Sequence, residues 1–99
     1  MNCKSRVARQ AIYQVMGDLV HLGYGNFVHW RRVVGIFPAR GTQGLKLQTQ
    51  ARQLGLLLNV SGGHRIETAI LTDTDHVFLA AVNVADLWER IDEARRNWR

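Results

Sequence analysis

The chain has 99 residues, 46% of them hydrophobic and 21% charged, a composition typical of one globular domain and unlike that of a disordered or fibrous chain. Its single cysteine excludes an intramolecular disulfide and a zinc framework built on cysteines. The formal net charge of +5 favours a polyanionic partner, while a basic surface without any partner stays open on charge alone.

The first residues differ in composition from the rest of the chain. Residues 1–15 are polar and basic, and they predict a flexible arm or a short helix ahead of a second methionine, Met16. Translation from Met16 would remove this segment, so we divide the chain into an arm, 1–15, and a single domain, 16–99. The sequence has neither a membrane-spanning apolar run nor a secretory signal, which predicts a cytoplasmic protein.

The positive charge is concentrated in the first two thirds of the chain. Residues 1–65 contain nine Lys and Arg against one acid, Asp18, whereas residues 66–99 contain four against seven. Such a one-sided excess attracts polyanions through its field and through counterion release. The interpretation does not depend on the arm, because residues 16–65 retain six of the nine basic groups.

Three short runs rich in β-branched and aromatic residues predict strands at 19–23, 27–30 and 32–37. The residues between the first two runs, 23–26, are Gly-Tyr-Gly-Asn and predict a tight turn, since Gly and Asn tolerate positive φ. A phosphate-cradling glycine loop is the alternative, but such loops open a helix and no helix follows.

A helical pattern occupies the middle of the chain. Residues 38–44 predict a loop, and residues 45–55 predict a helix of about three turns that ends at a C-cap glycine, Gly55. Its apolar stripe comprises Leu45, Leu47, Ala51 and Leu54. The short apolar run at 56–60 predicts a buried strand.

The second half of the sequence predicts a loop, a hairpin and a helix. Residues 61–65 form the loop, and the apolar runs 66–72 and 76–82 flank an Asp-Thr-Asp turn. We interpret the two aspartates as turn formers and not as metal ligands, because no third ligand is in view.

Residues 84–99 predict the best-defined helix of the chain. Asn83 is its N-cap residue, and Asp86 follows three residues later as in a capping box. The apolar stripe comprises Val84, Leu87, Trp88, Ile91 and Ala94, and the late arginines that complement the helix dipole are Arg95, Arg96 and Arg99. The predicted fold class is therefore α+β, a small antiparallel β-sheet domain with a central helix and a C-terminal helix.

The sequence shows no constellation of catalytic residues. Ser61 has only His64 near it in sequence, which leaves a nucleophile without an oriented base. The histidines show no metal-ligand spacing; they are His21, His29, His64 and His76. No nucleotide-binding, kinase or hydrolase motif is present. We predict a non-enzymatic protein with no metal, no cofactor and no small-molecule substrate.

Several segments resemble the RemA family of bacterial biofilm-matrix regulators. They are LGYGN (22–26), Arg32, ARQLGLL (51–57), the Gly-His-Arg loop (63–65) and DTDHVFLAAV (73–82), within an ungapped alignment from Leu19 to about Ile91. The last segment is the most specific. The VHLG and VVGIF runs also resemble the shorter RemB-type relatives, so the branch stays open.

The resemblance implies DNA binding and transcription regulation by a ring-like homo-oligomer, with basic loops presented along a wrapped or bent duplex. Two arginines that follow a glycine contact DNA in the family, and here that pair is His64-Arg65 after Gly63. Arg32 matches a second required arginine, with Arg31 as an additional one.

One position departs from the family pattern. Gln43 stands where the family has a proline before its central helix, and Pro38 lies earlier, which puts the subunit packing of this loop in doubt.

We therefore predict DNA contacts at Arg32, Arg65, His64, Arg31 and Gly63. A glycine-rich loop lets backbone N–H groups approach a phosphate, and an arginine adds a charge-assisted hydrogen bond. The expected partners are duplex DNA and further copies of the chain, in a nucleoid-associated protein.

Two other hypotheses stay open. The loss of one loop arginine to histidine favours an oligomeric scaffold without DNA affinity. An RNA-binding module has the same electrostatics, but Tyr24 and Trp30 are the only candidates for stacking on bases.

Overall fold

The computed structural model describes residues 19–97. The predicted arm, residues 1–15, lies outside these residues. The elements in chain order are β1 (Leu19–Gly23), β2 (Asn26–His29), a 3-10 turn (Trp30–Arg32), β3 (Val33–Pro38), α1 (Thr42–Leu54), β4 (Leu57–Asn59), β5 (Thr68–Thr72), β6 (Val77–Ala80) and α2 (Val84–Asn97).

The strands form two sheets. β1 and β2 pair as an antiparallel hairpin, and the other four form a sheet in the order β3-β5-β6-β4. β5 is antiparallel to both of its neighbours, whereas the edge strand β4 runs parallel to β6. The predicted α+β class, with a central and a C-terminal helix, is confirmed; the sheet is antiparallel except for this one pair.

Each face of the four-stranded sheet has its own apolar core. Successive side chains of a strand point to opposite faces, so Ala69 packs toward α1 while Ile70 packs toward the β1–β2 hairpin and α2. Both residues are fully buried. The central strand β5 is therefore covered on both sides and fixes the positions of the loops at its two ends.

The approach of α1 to the sheet depends on a glycine. A Cβ at Gly44 would overlap the carbonyl oxygen of Pro38, so only glycine allows the helix to begin this close to β3. The loop in the structure is shorter than the one predicted at 38–44, because Pro38 still belongs to β3 and α1 already begins at Thr42. The predicted C-cap is confirmed, since Gly55 adopts a left-handed conformation with φ of 73°.

The capping prediction for the last helix is also confirmed. The side-chain oxygen of Asn83 accepts a hydrogen bond of 2.8 Å from the N–H of Asp86, and the Asn83 amide donates to the Asp86 carboxylate at 3.1 Å. Leu87 and Ile91 are buried in the core, but Trp88 is 47% exposed although it belongs to the same apolar stripe.

Two strand predictions are wrong in detail. The run 56–60 is not a buried strand: β4 lies at the edge of the sheet and its Leu58 is 43% exposed. An apolar run predicts that both faces of a strand are buried. The β1–β2 hairpin, which covers one face of the four-stranded sheet, leaves Leu58 of β4 partly exposed. Arg32 does not open a strand either; it ends the 3-10 turn that separates β2 from β3.

No helix among residues 19–97 is long and apolar enough to cross a membrane.

Candidate nucleic-acid interface

The Gly-His-Arg segment lies in a loop that is fixed by its own hydrogen bonds. Asn59 accepts hydrogen bonds from both the N–H (3.0 Å) and the hydroxyl (2.7 Å) of Ser61. The N–H of His64 donates to the carbonyl of Ser61 at 3.1 Å across Gly62 and Gly63. These glycines have φ of 63° and 81°, the signs of a type I′ turn, which other residues rarely adopt.

A tyrosine from the β1–β2 turn supports this loop. The ring of Tyr24 stacks on the ring of His64, with centroids 4.9 Å apart and planes inclined by 17°. The same ring covers Gly62, where an added Cβ would lie 2.6 Å from the Tyr24 ring. Gly62 is thus required both for its backbone conformation and for space. Two tight turns, at 23–26 and 61–65, therefore hold each other through one aromatic ring.

Arg65 extends from this loop into solvent beside a shared carboxylate. Its side chain is 71% exposed, and its Nε lies 3.5 Å from Oε2 of Glu67. Arg40 binds the other oxygen of the same carboxylate at 2.9 Å. One acid therefore lies between two arginines, and this corner of the fold keeps a net positive charge. Exposed ion pairs of this kind contribute about 0–1 kcal/mol to stability, so either arginine can leave Glu67 for another anion at little cost in free energy.

Arg31 and Arg32 lie in the 3-10 turn between β2 and β3. Arg32 is 61% exposed with Nη1 3.6 Å from Oδ2 of Asp73, and its carbonyl accepts a hydrogen bond of 2.8 Å from the Asp73 N–H. The guanidinium of Arg31 lies 5.4 Å from the centre of the Trp30 ring, within the range of a cation–π contact. Both arginines are exposed to solvent.

The structure divides the predicted contact residues into two groups. Gly63, His64 and Arg65 precede β5, whereas Arg31 and Arg32 lie beside the turn that follows β5. Five strand residues at about 3.3 Å each separate the two groups by roughly 17 Å. A single subunit therefore brings the predicted residues to two positions and not to one.

The roles of three residues of this surface were not predicted from the sequence. The sequence predicts Tyr24 as a turn residue and as a candidate for stacking on bases, but not the stacking of its ring on His64. Arg40 and Glu67 were not singled out, because they are 27 positions apart and meet only in the fold. The one local signal was an aromatic residue in a turn that otherwise consists of glycine and asparagine.

Residues 19–65 contain six Lys and Arg and no acidic residue, so the carboxylates of Glu67 and Asp73 come from the second half of the chain. Among the described residues, 19–97, no three His, Cys, Asp or Glu side chains converge as a metal site would require.

The family model for RemA-like proteins, described as extracellular matrix regulatory protein A-like, matches residues 19–91. The chain belongs to the RemA-like family. The match covers both groups of predicted contact residues and every strand among the described residues, 19–97. It confirms the resemblance inferred from the motifs. The description of the family is regulatory.

Relatives of this RemA-like chain occur in several bacteria. A "Putative regulatory protein" of Thermodesulfovibrio yellowstonii is 31% identical over 79% of this chain and 92% of its own length. Proteins with the same description are 36% identical in Nitratidesulfovibrio vulgaris, over 76% and 87% of the two chains, and 34% identical in Desulforudis audaxviator, over 74% and 77%. These similarities support a regulatory role for the RemA-like domain.

Proposed function

We propose that this chain is a DNA-binding transcriptional regulator of matrix or biofilm genes, which grips duplex DNA as a ring-like homo-oligomer. The observation that carries the proposal is the 61–65 loop, which packs against Tyr24 through His64 and projects Arg65 with 71% of its side chain exposed. The proposed contacts are Arg65, Arg32, His64, Arg31 and Gly63.

The loop has the chemistry of a phosphate contact. Gly63 has no side chain to keep a phosphate away from the backbone, and nothing lies within 4 Å of where its Cβ would be. Arg65 then adds a charge-assisted hydrogen bond to the phosphate. Its pairing with Glu67 at 3.5 Å does not compete strongly, since an exposed ion pair of this length is weak. We interpret the loop as a backbone contact that positions the duplex and does not read its bases.

Association of several copies explains the two arginine groups. Within one subunit the two groups lie roughly 17 Å apart, so a single subunit offers only a few phosphate contacts. Neighbouring copies in an assembly would present many such contacts in register along the duplex. The outer edges of β3 and β4 have no strand partner among residues 19–97. Exposed apolar side chains lie near both edges: Val34 and Trp88 near β3, and Leu54 near β4. Two different edges favour a head-to-tail contact between copies, and such contacts form a ring when the rotation from one copy to the next closes.

A protein that binds duplex DNA would be associated with the nucleoid, without an enzymatic activity of its own. The division into an arm, 1–15, and a domain, 16–99, is kept as part of the proposal.

One observation favours an oligomeric scaffold as the second candidate. His64, which replaces a loop arginine of the family, is stacked on Tyr24, and Arg32 and Arg65 both have acidic neighbours. A scaffold would keep the assembly without binding DNA. An RNA-binding function is less well supported, because the Tyr24 ring is already stacked and Trp30 is half-buried.

The proposal is tested by measuring particle mass with light scattering and then the affinity of the same particles for duplex DNA and single-stranded RNA. We expect an oligomer that shifts duplex DNA more strongly than RNA. An oligomer that binds neither nucleic acid would establish the scaffold, and preference for single-stranded RNA would establish the RNA-binding module. A monomer would contradict both the proposed function and the scaffold, because each needs an assembly of copies.

A further inference from the structure

A cavity of about 290 Å³ opens beside the Arg32 turn, where the cover of the four-stranded sheet is incomplete. On this face Ile70 of β5 is fully buried, but Leu58 of β4 is 43% exposed. Leu58 and Phe78 are adjacent in the β4–β6 register and form the apolar floor. The volume is near the lower end of the range for small-molecule sites, about 300–1,000 Å³.

The mouth of the cavity carries two opposite charges side by side. Arg32 and Asp73 both line it, with Nη1 and Oδ2 3.6 Å apart, which is too long for a hydrogen bond. This long ion pair is weak, and the two side chains are 61% and 48% exposed, so both charges remain accessible to a ligand. The adjacent polar groups are already engaged, since the hydroxyl of Thr74 lies 2.8 Å from Nδ1 of His76.

These charges select the chemistry of the ligand. A free small anion would be attracted by Arg32 and opposed by Asp73, and a free small cation the reverse, with no further contacts to offset the opposing charge. A molecule with both charges at one end and an apolar body satisfies both side chains and covers Leu58 and Phe78. We propose that this cavity binds an apolar α-amino acid, with its carboxylate on Arg32, its ammonium group on Asp73 and its side chain on the apolar floor.

The ligand would control DNA binding, and this part of the inference rests on the function proposed above. Arg32 is a proposed DNA contact, and a guanidinium that binds the carboxylate of an amino acid is less available to a phosphate. The RemA-like chain would then release DNA when apolar amino acids are abundant.

Binding is tested first without DNA, by calorimetric titration and NMR with L-leucine and L-phenylalanine. We expect saturable binding with shifts at Thr74 and Phe78. N-acetyl-L-leucine and L-leucinamide each lack one charge and should bind at least about tenfold more weakly. The variants Arg32→Gln and Leu58→Glu should lose at least about tenfold in affinity. The matched controls Arg52→Gln and Leu45→Glu, both exposed on α1, should retain wild-type affinity.

Three results would overturn the inference. They are absence of saturation by either amino acid up to about 10 mM, equal binding of N-acetyl-L-leucine, and loss of assembly in Leu58→Glu alone, which would make the cavity a subunit contact. Duplex affinity is then measured with saturating L-leucine, and we expect it to fall at least about threefold. Amino acid binding with unchanged DNA affinity would overturn the regulatory link. Amino acid binding by a protein without DNA affinity would contradict the proposed function and leave the ligand site standing.

Discussion

The two ends of β5 hold their arginines in physically different ways. The loop before β5 depends on backbone conformation and packing: Gly62 and Gly63 both have positive φ, and the Tyr24 ring packs against Gly62. The turn beside its other end depends on polar contacts, since the Asp73 N–H binds the Arg32 carbonyl at 2.8 Å and the two side chains form a long ion pair. Substitutions can therefore disrupt one end without the other, and the first end should be much the more sensitive.

The largest expected effect is at Gly62. Gly62→Ala puts a Cβ 2.6 Å from the Tyr24 ring at a φ of 63°, so it combines backbone strain with displacement of the ring. We expect a loss of about 2–3 kcal/mol in the free energy of unfolding, a fall of roughly 10–20 °C in Tm by calorimetry.

Gly63→Ala is the matched control for this substitution. Its φ of 81° is equally unfavourable for alanine, but nothing lies within 4 Å of the added Cβ. The expected loss is about 1 kcal/mol, from strain alone. Equal losses in the two variants would show that the Tyr24 ring does not rest on the loop.

A smaller effect is expected when the ring itself is removed. Tyr24→Ala eliminates the stack on His64 and should lower the free energy of unfolding by about 1 kcal/mol, since the ring is 55% exposed. The loosened loop should bind duplex DNA about three- to tenfold more weakly in fluorescence anisotropy. Phe27→Ala removes an aromatic ring of similar exposure from the same hairpin and should leave DNA affinity unchanged; a comparable loss there would contradict the role assigned to Tyr24.

The smallest effects on stability are expected at the two carboxylates. Glu67→Gln releases Arg40 and Arg65 together, whereas Asp73→Asn releases Arg32 alone. Both variants should lose less than about 1 kcal/mol of stability, because the pairs are exposed. Both should bind DNA more tightly than wild type at low salt, Glu67→Gln more so. If Asp73→Asn gave the larger gain, the Arg32 end would be the main contact.

Local signals in the sequence predicted the elements that local physics determines. Gly-Tyr-Gly-Asn predicted the first turn, Asn83 the helix cap and Asp-Thr-Asp the second hairpin, because each depends on residues within a few positions. The edge position of β4 was not predictable in this way, since the exposure of Leu58 is decided by how far the hairpin extends over the sheet.

The candidate site was predicted only in part for the same reason. The motifs identified Arg32 and Arg65, but not that β5 separates them. The bridging carboxylate of Glu67 and the cavity at Leu58 arise from residues that are distant in sequence, so composition and spacing gave no sign of either.

The central claim is that Arg65 and Arg32 contact DNA phosphates from two positions of each subunit. It is tested most directly by the salt dependence of duplex affinity for wild type, Arg65→Ala, Arg32→Ala and the control Arg52→Ala. Each lost phosphate contact should reduce the slope of log K against log salt concentration by about one, so both site variants should flatten the slope while Arg52→Ala leaves it unchanged. Identical slopes for all four proteins would contradict the account.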